Sequence, residues 1–183
     1  MINQIGAYSL YICLFVSVYL ILKSYISSKN FDKKIDQTFF ATLSVQLFMT
    51  ILSFFTLVFA FVFSDFSNIT VFNNSHSLKP LFYKISGTWG NHEGSLLLWL
   101  LVLTFFLFIF FVTSKKMSLR YRILTILFQE IIILGFLLFI LFTSNPFLNI
   151  LPIPDEGLGL NPILQDPALA IHPPLLYVGY VGT

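Results

Sequence analysis

The chain has one cysteine, Cys13, so it can form neither an internal disulfide nor a CxxC redox pair. Lying inside an apolar run, Cys13 reads as a small buried hydrophobe. Charge is equally scarce. Asp, Glu, Lys and Arg make up 10% of 183 residues, against about 25% in an ordinary soluble domain. The eight Lys/Arg of two short turns carry no interleaved aromatic platform, so a nucleic-acid reading is weak and none is expected as a partner. No zinc-protease box is present, because the residue four beyond His92 in HEGSL is Leu96. Asp155 and Glu156 are adjacent, and adjacency does not make the facing carboxylate pair of a glycosidase; they read as a solvated loop. A cleavable secretory signal is excluded as well: no Lys or Arg precedes the first apolar run, and its bulky end at Tyr19, Leu20, Ile21 and Leu22 offers no cleavage site.

What is abundant is apolar length. Hydrophobic residues make up 57% of the chain, with 23 phenylalanines and only two tryptophans, and the mean hydropathy is +0.87. Runs at 5–22, 39–63, 95–112 and 123–142 are each long enough to cross a bilayer core as a helix. A fifth run, 175–181, is too short to cross and is expected to need completion by a missing segment or a second polypeptide. The predicted class is therefore an all-α polytopic integral membrane protein with four complete transmembrane helices and the start of a fifth. Polar, turn-rich loops are expected at 64–94 and 144–174. The turns after the first and third runs hold Lys23, Lys29, Lys33, Lys34, Lys115, Lys116, Arg120 and Arg122, whereas the opposite side holds only Lys79 and Lys84. The positive-inside rule puts the basic turns in the cytoplasm or matrix, with the N-terminus and both polar loops outside.

The candidate chemistry gathers on that outer side. His92 precedes the third run and His172 the fifth. Two readings stand for each imidazole: a ligand for haem iron or another metal, or a structural group at a helix start or elbow. Pro173 is expected to push His172 out of helical geometry, with Pro174 at the start of the fifth span. Asn161, Gln165 and Asp166 supply polar groups before it, and Asp166-Pro167 reads as a turn. Glu93 is expected to orient an imidazole or meet Lys84. Trp89, Tyr83, Tyr177 and Tyr180 fit an interfacial belt or the edge of a planar ligand, and Trp99 reads as packing. His76 reads as a solvated loop residue. Within the spans, Gln129 and Glu130 are outliers. Glu130 lies on the order of 10 Å from the basic end at 1.5 Å per residue, and Gln46 sits at a similar depth in the second run. Glu130 is either a functional carboxylate or a neutral acid hydrogen-bonded to Gln46.

The blocks YKISGTWGNHEGSLLLWLL, LFTSNPF and LNPILQDPALAIHPPLLYVGYVG closely resemble the N-terminal part of the CcmF/NrfE-like family. These are the large haem-handling membrane proteins of type I cytochrome c maturation and their relatives for nitrite-reductase haem assembly. The likeness runs over nearly the whole chain. It implies that residues 1–183 form the N-terminal transmembrane part of a larger haem-lyase subunit. That family attaches haem to apocytochrome c, receives it from a haem chaperone, and works with thiol-handling maturation subunits in the inner membrane of bacteria or mitochondria. His172 falls on the first of the family's two outer axial histidines, and the family's HEGS block falls on His92 to Ser95, in structural support or docking; Glu93, Trp89, Asp166 and Tyr177 are further candidates for support. The family's tryptophan-rich loop, second outer histidine and transmembrane haem histidines are absent here. The resemblance therefore implies a complementary C-terminal part, with haem bound transiently in the assembled complex and none in the isolated chain. The alternative is a non-catalytic scaffold or small transporter domain.

The charge pattern generates a direct test. With cysteines placed at Ser28, Ser118 and Gln165, an impermeant thiol reagent added from outside should label position 165 alone. Outside labelling at 118 would reverse the orientation.

Overall fold

The computed structural model describes residues 2–29, 37–159 and 165–182. Helix α1 covers Ile2–Lys29, α2 Gln37–Val62, α3 Ile69–Asn74, α4 Leu81–Gly87, α5 His92–Thr113, α6 Leu119–Thr143 and α7 Pro167–Gly182. The described residues hold no sheet, only an isolated antiparallel bridge between Asn68 and Asn149. Four helices, α1, α2, α5 and α6, are long and apolar enough to cross a membrane, and α7 is a fifth, partial one. The all-α polytopic class holds.

The spans form a bundle in which α1 lies against α2 and α6, α5 lies against α2 and α6, and α7 rests on α5 and α4. Apolar residues alone cannot select this arrangement, since lipid tails are as apolar as leucine. Polar side chains supply the selection. Ser17 of α1 donates to Glu130 Oε2 of α6 at 2.8 Å, and Gln46 of α2 donates to the same oxygen at 3.0 Å. Thr50, one turn along α2, bonds the Gln46 carbonyl at 3.1 Å and Thr104 of α5 at 2.9 Å. One polar thread thus joins all four spans. Cys13 is buried beside it, its thiol facing the Gln46 carbonyl at 3.6 Å.

Both ends of the bundle are closed by side chains that take up terminal backbone groups. At the basic end, Ser118 caps α6 through the Tyr121 N–H, while Arg122 reaches back to the Phe111 carbonyl and the Ser114 hydroxyl, both at 3.1 Å. At the other end, Asn68 caps α3 through the Thr70 and Val71 N–H groups. Its amide also donates to Asn3 at 3.0 Å and to the Pro146 carbonyl at 2.8 Å, and Asn3 donates to Asn149 at 3.0 Å. This asparagine knot ties the start of α1 to both polar loops. The loops are further joined by the backbone bonds Ile69 to Leu148, Ile150 to Ser67, Leu158 to Phe72 and Gly159 to Ser75. They are one docked layer rather than two free excursions.

Three expectations change. The first loop contains α3 and α4 and ends where α5 begins at His92. The second ends at Asp166 rather than 174, because Asp166-Pro167 is a helix start and not a free turn: the Asp166 carboxylate accepts the Ala168 and Leu169 N–H groups at 2.8 and 3.1 Å, with Pro167 in the first helical position. Most consequentially, Pro173 does not expel His172 from helical geometry. Helix α7 runs through His172, Pro173 and Pro174. A proline inside a helix deprives the carbonyl four residues earlier of its donor; for Pro174 that carbonyl belongs to Ala170. The indole Nε1–H of Trp89 supplies the missing bond at 2.7 Å. The helix survives its prolines because a side chain 81 residues away replaces one of the lost donors. Asn161, placed by sequence among the polar groups before His172, lies outside the described residues.

Two variants test these couplings. Glu130→Gln keeps an oxygen that can accept from Ser17 and Gln46, and should leave unfolding in detergent close to that of the parent. Glu130→Leu strands both donors in a buried site and should destabilise by about 1–3 kcal/mol; equal loss in both would make the carboxylate itself the requirement. Separately, Trp89→Phe keeps the ring but leaves the Ala170 carbonyl unpaired. Amide exchange across Pro167–Gly182 should quicken while α1 and α6 stay protected; unchanged exchange would remove the indole from this role.

Candidate functional site

The WGNHEGS block builds a tight corner. Asn91 caps α5 by accepting the Gly94 N–H at 2.8 Å, and its own amide donates to the Gly87 and Thr88 carbonyls at 2.7 and 3.2 Å. A Cβ at Gly94 would lie 1.6 Å from the Thr88 carbonyl oxygen, so only glycine fits where α5 leaves the corner. The corner presents His92 at the first helical position, with an exposed imidazole whose ring meets Phe139 edge-on at 6.2 Å.

Between this corner and α7 lies a cleft of about 490 Å³. Its walls include Trp89, His92, Trp99, Ala170, Pro173 and Tyr177. On α5, His92, Ser95 and Trp99 follow helical spacing along one face, and on α7 Pro173 and Tyr177 do the same. The helices are clasped by the Tyr177 and Ser95 hydroxyls, which share a hydrogen bond, and by the stacking of Tyr177 on Trp99 at 5.2 Å and 19°. Trp89 stacks in turn on Phe54 of α2. Its indole is committed to Ala170, which removes it from a simple interfacial belt. Trp99 packs as sequence suggested, against Phe136 and Tyr177, and also forms part of the cleft wall. The cleft-facing Ser86 and Leu96 were not singled out from sequence; helical spacing from His92 was the available signal for Leu96, and Ser86 had none.

The candidate residues divide. Trp89, His92 and Tyr177 converge on the cleft. His172 is exposed on α7 next to Pro173 and is not among the cleft's lining residues. Asp166 serves α7 as its cap. Glu93 makes no contact with Lys84, whose ammonium instead donates to the Ser64 hydroxyl at 2.8 Å. Lys79 donates to the Asn74 carbonyl at 2.9 Å, and burial, with Lys84 nearby, pushes its ammonium down to about 8. Glu156 is exposed, but more than solvated: it accepts from the Ser77 hydroxyl and N–H, and the hydroxyl bond holds its carboxyl below the usual range. His76 stands 3.7 Å from Glu156 and accepts the Leu78 N–H at 3.2 Å. Glu130 and Gln46 meet inside the bundle, far along α6 and α2 from the cleft.

Among the described residues no group of three or more His, Cys, Asp or Glu could enclose a metal ion. What the chain offers is single exposed imidazoles on ordered helices. Each is a donor of the kind that can serve as a single axial ligand to iron.

The comparisons with known proteins point to one family. The cytochrome c-type biogenesis protein CycK of Rhizobium meliloti is 45% identical over 184 residues, covering 100% of this chain and 27% of its own length. The cytochrome c-type biogenesis protein CcmF of Escherichia coli is 49% identical over 138 residues, covering 74% of this chain and 21% of its own. The chain therefore spans about a quarter of the length of these relatives. The solved structure of a cytochrome c haem lyase, CcmF, superposes with a TM-score of 0.81 at 21% identity, covering 100% of this chain and 28% of that one, and shares its fold. The family described as cytochrome c assembly protein matches residues 89–183, from the Trp89 corner through α7, and this chain belongs to that family.

Proposed function

We propose that this chain is a membrane component of a haem lyase in cytochrome c biogenesis, and that His172 supplies an axial imidazole to haem iron at the membrane face formed by the two polar loops. The observation that carries the reading is the exposed His172 imidazole on a helix held by Trp89, Tyr177 and the Asp166 cap. A ligand on a braced element is oriented before binding, so little ordering is lost when haem arrives. The relatives' printed names, cytochrome c-type biogenesis protein and haem lyase, supply the class of substrate.

Haem is substrate here. In the reaction two cysteine thiols of apocytochrome c add across the two vinyl groups of the porphyrin, each S–H giving its sulfur to one carbon and its proton to the other. Cys13 is buried among the spans, so both thiols belong to the substrate. This chain's part is to hold the iron from one side through His172 and fix the porphyrin edge. His92, Trp89 and Tyr177 support that face by building the cleft under α7, with Glu93 and Asp166 at its margins. The opposite ligand would come from the part of the relatives' length that this chain does not span. A haem chaperone delivers the substrate, thiol-handling subunits keep apocytochrome c reduced, and the assembly sits in a bacterial or mitochondrial inner membrane with the N-terminus outside.

His172→Ala separates this reading from that of a passive scaffold. The variant, assembled with its complement at matched protein level, should insert normally yet lose most co-purifying haem absorbance and most covalent haem stain on the substrate cytochrome. Added imidazole should restore part of the haem signal. Unchanged haem and unchanged product would leave His172 a surface residue of a scaffold.

A further inference from the structure

The cleft under α7 does not end at its polar walls. Leu96 borders it and also borders a second, wholly apolar groove of about 390 Å³ along α5 and α6, lined by Ile132, Gly135, Phe136 and Phe139. Phe136 stands 5.2 Å from Trp99, and Phe139 meets the His92 ring, so the two spaces share their dividing wall. A Cβ placed at Gly135 would meet nothing within 4 Å; the groove is open at that point for want of a side chain. The whole is a trough with a polar, aromatic head at the membrane face and an apolar tail running into the bilayer.

The head end has unmet hydrogen bonds. Ser86 is buried, lines the cleft, and has a hydroxyl without a partner among the described residues. Asn91 takes up the Gly94 and Ser95 N–H groups, which leaves the first-turn N–H groups of His92 and Glu93 to an external acceptor. A buried donor beside a helix N-terminus favours a phosphate oxygen. Among the described residues no lysine or arginine lines either space, and Glu93 follows His92. The Lys79 ammonium, which stands beside Gly87, is committed to the Asn74 carbonyl. A ligand of net negative charge would find no lining counter-ion, whereas one carrying its own cation needs none.

We propose that this trough is a binding site for one zwitterionic phospholipid of the bilayer, with its phosphate at the Ser86–His92 end and one acyl chain in the groove over Gly135. The site is independent of haem ligation by His172. Its occupant lies against Pro173 and Tyr177, and so seats the face of α7 opposite to the one its exposed residues offer to solvent.

The test uses the full chain in its native membrane complex and phosphatidylcholine carrying a photoactivatable diazirine on one acyl chain, with the matching phosphatidylglycerol as the anionic arm. After illumination, adducts are mapped by peptide mass spectrometry. Phosphatidylcholine should label the peptides holding Leu96 and 132–139 above the level at the lipid-exposed Phe15 and Phe128, and phosphatidylglycerol should not. Gly135→Leu places its Cβ where nothing lies within 4 Å, and an unfolding midpoint matched to the parent checks that the fold is kept; it should lower groove labelling about tenfold, the equivalent of roughly two displaced methylene contacts, with labelling at Phe15 and Phe128 unchanged. Ser86→Ala should lower it about threefold, as loss of one hydrogen bond does. Groove labelling no higher than at Phe15 and Phe128, as when another helix of the complex covers the groove, overturns the proposal. So does labelling that Gly135→Leu leaves unchanged, or equal labelling by the anionic lipid.

Discussion

The Ala170 carbonyl is the point on which the presentation of His172 depends. Inside or beside a bilayer a backbone oxygen without a donor is expensive, and Pro174 cannot donate. Trp89 closes that gap at 2.7 Å, and in doing so fixes the distance between the α4–α5 corner and α7. The bond positions Tyr177 over Trp99 and brings its hydroxyl to Ser95. The same corner requires Gly94, because the turn that aims the indole runs its backbone against the start of α5. Helix rigidity, cleft shape and histidine exposure are consequences of one donor replacing another.

Beneath this layer, the polar thread from Thr104 through Thr50, Gln46 and Glu130 to Ser17 sets which span faces which. Its weakness is Glu130 Oε1, which is buried without a partner, while Oε2 accepts two bonds. Such a site tolerates little substitution, since removing any member strands its neighbours in a medium that offers no water. The thread restricts the spans to one packing, and only on that packing do the asparagine knot and the docked loops come into register. Depth in the membrane and geometry at its face are therefore coupled through α1, which contributes Ser17 to the thread and Asn3 to the knot.

Sequence reasoning reached the spans because their signal is local: apolar length sets each helix and charged turns bound it. It also reached the pairing of Glu130 with Gln46, since two rare polar residues at one depth have few other partners. It failed at Pro173 and Pro174 for an equally physical reason. The local rule that proline ends a helix is a statement about a lost donor, and the replacement lay on Trp89, far away in the chain. The docked loop layer was invisible for the same reason. Pairings such as Ile150 with Ser67 and Leu158 with Phe72 leave no periodicity in the sequence. Asn68 and Asn3 look like any loop and helix-end asparagines until the structure joins them.

His92 and His172 stand in different surroundings. His92 belongs to a corner in which nearly every neighbour is committed: Asn91 to the cap and two carbonyls, Trp89 to Ala170, Ser95 to Tyr177. The His92 imidazole itself lines the cleft and meets the Phe139 ring. His172 is exposed and does not line the cleft, and the bracing of its helix falls on Asp166, Ala170 and Tyr177. On the proposed reading, a ligand that must receive and release a substrate needs this separation: the contacts that hold the helix are made by other residues, so His172 would bind iron without giving up a structural bond.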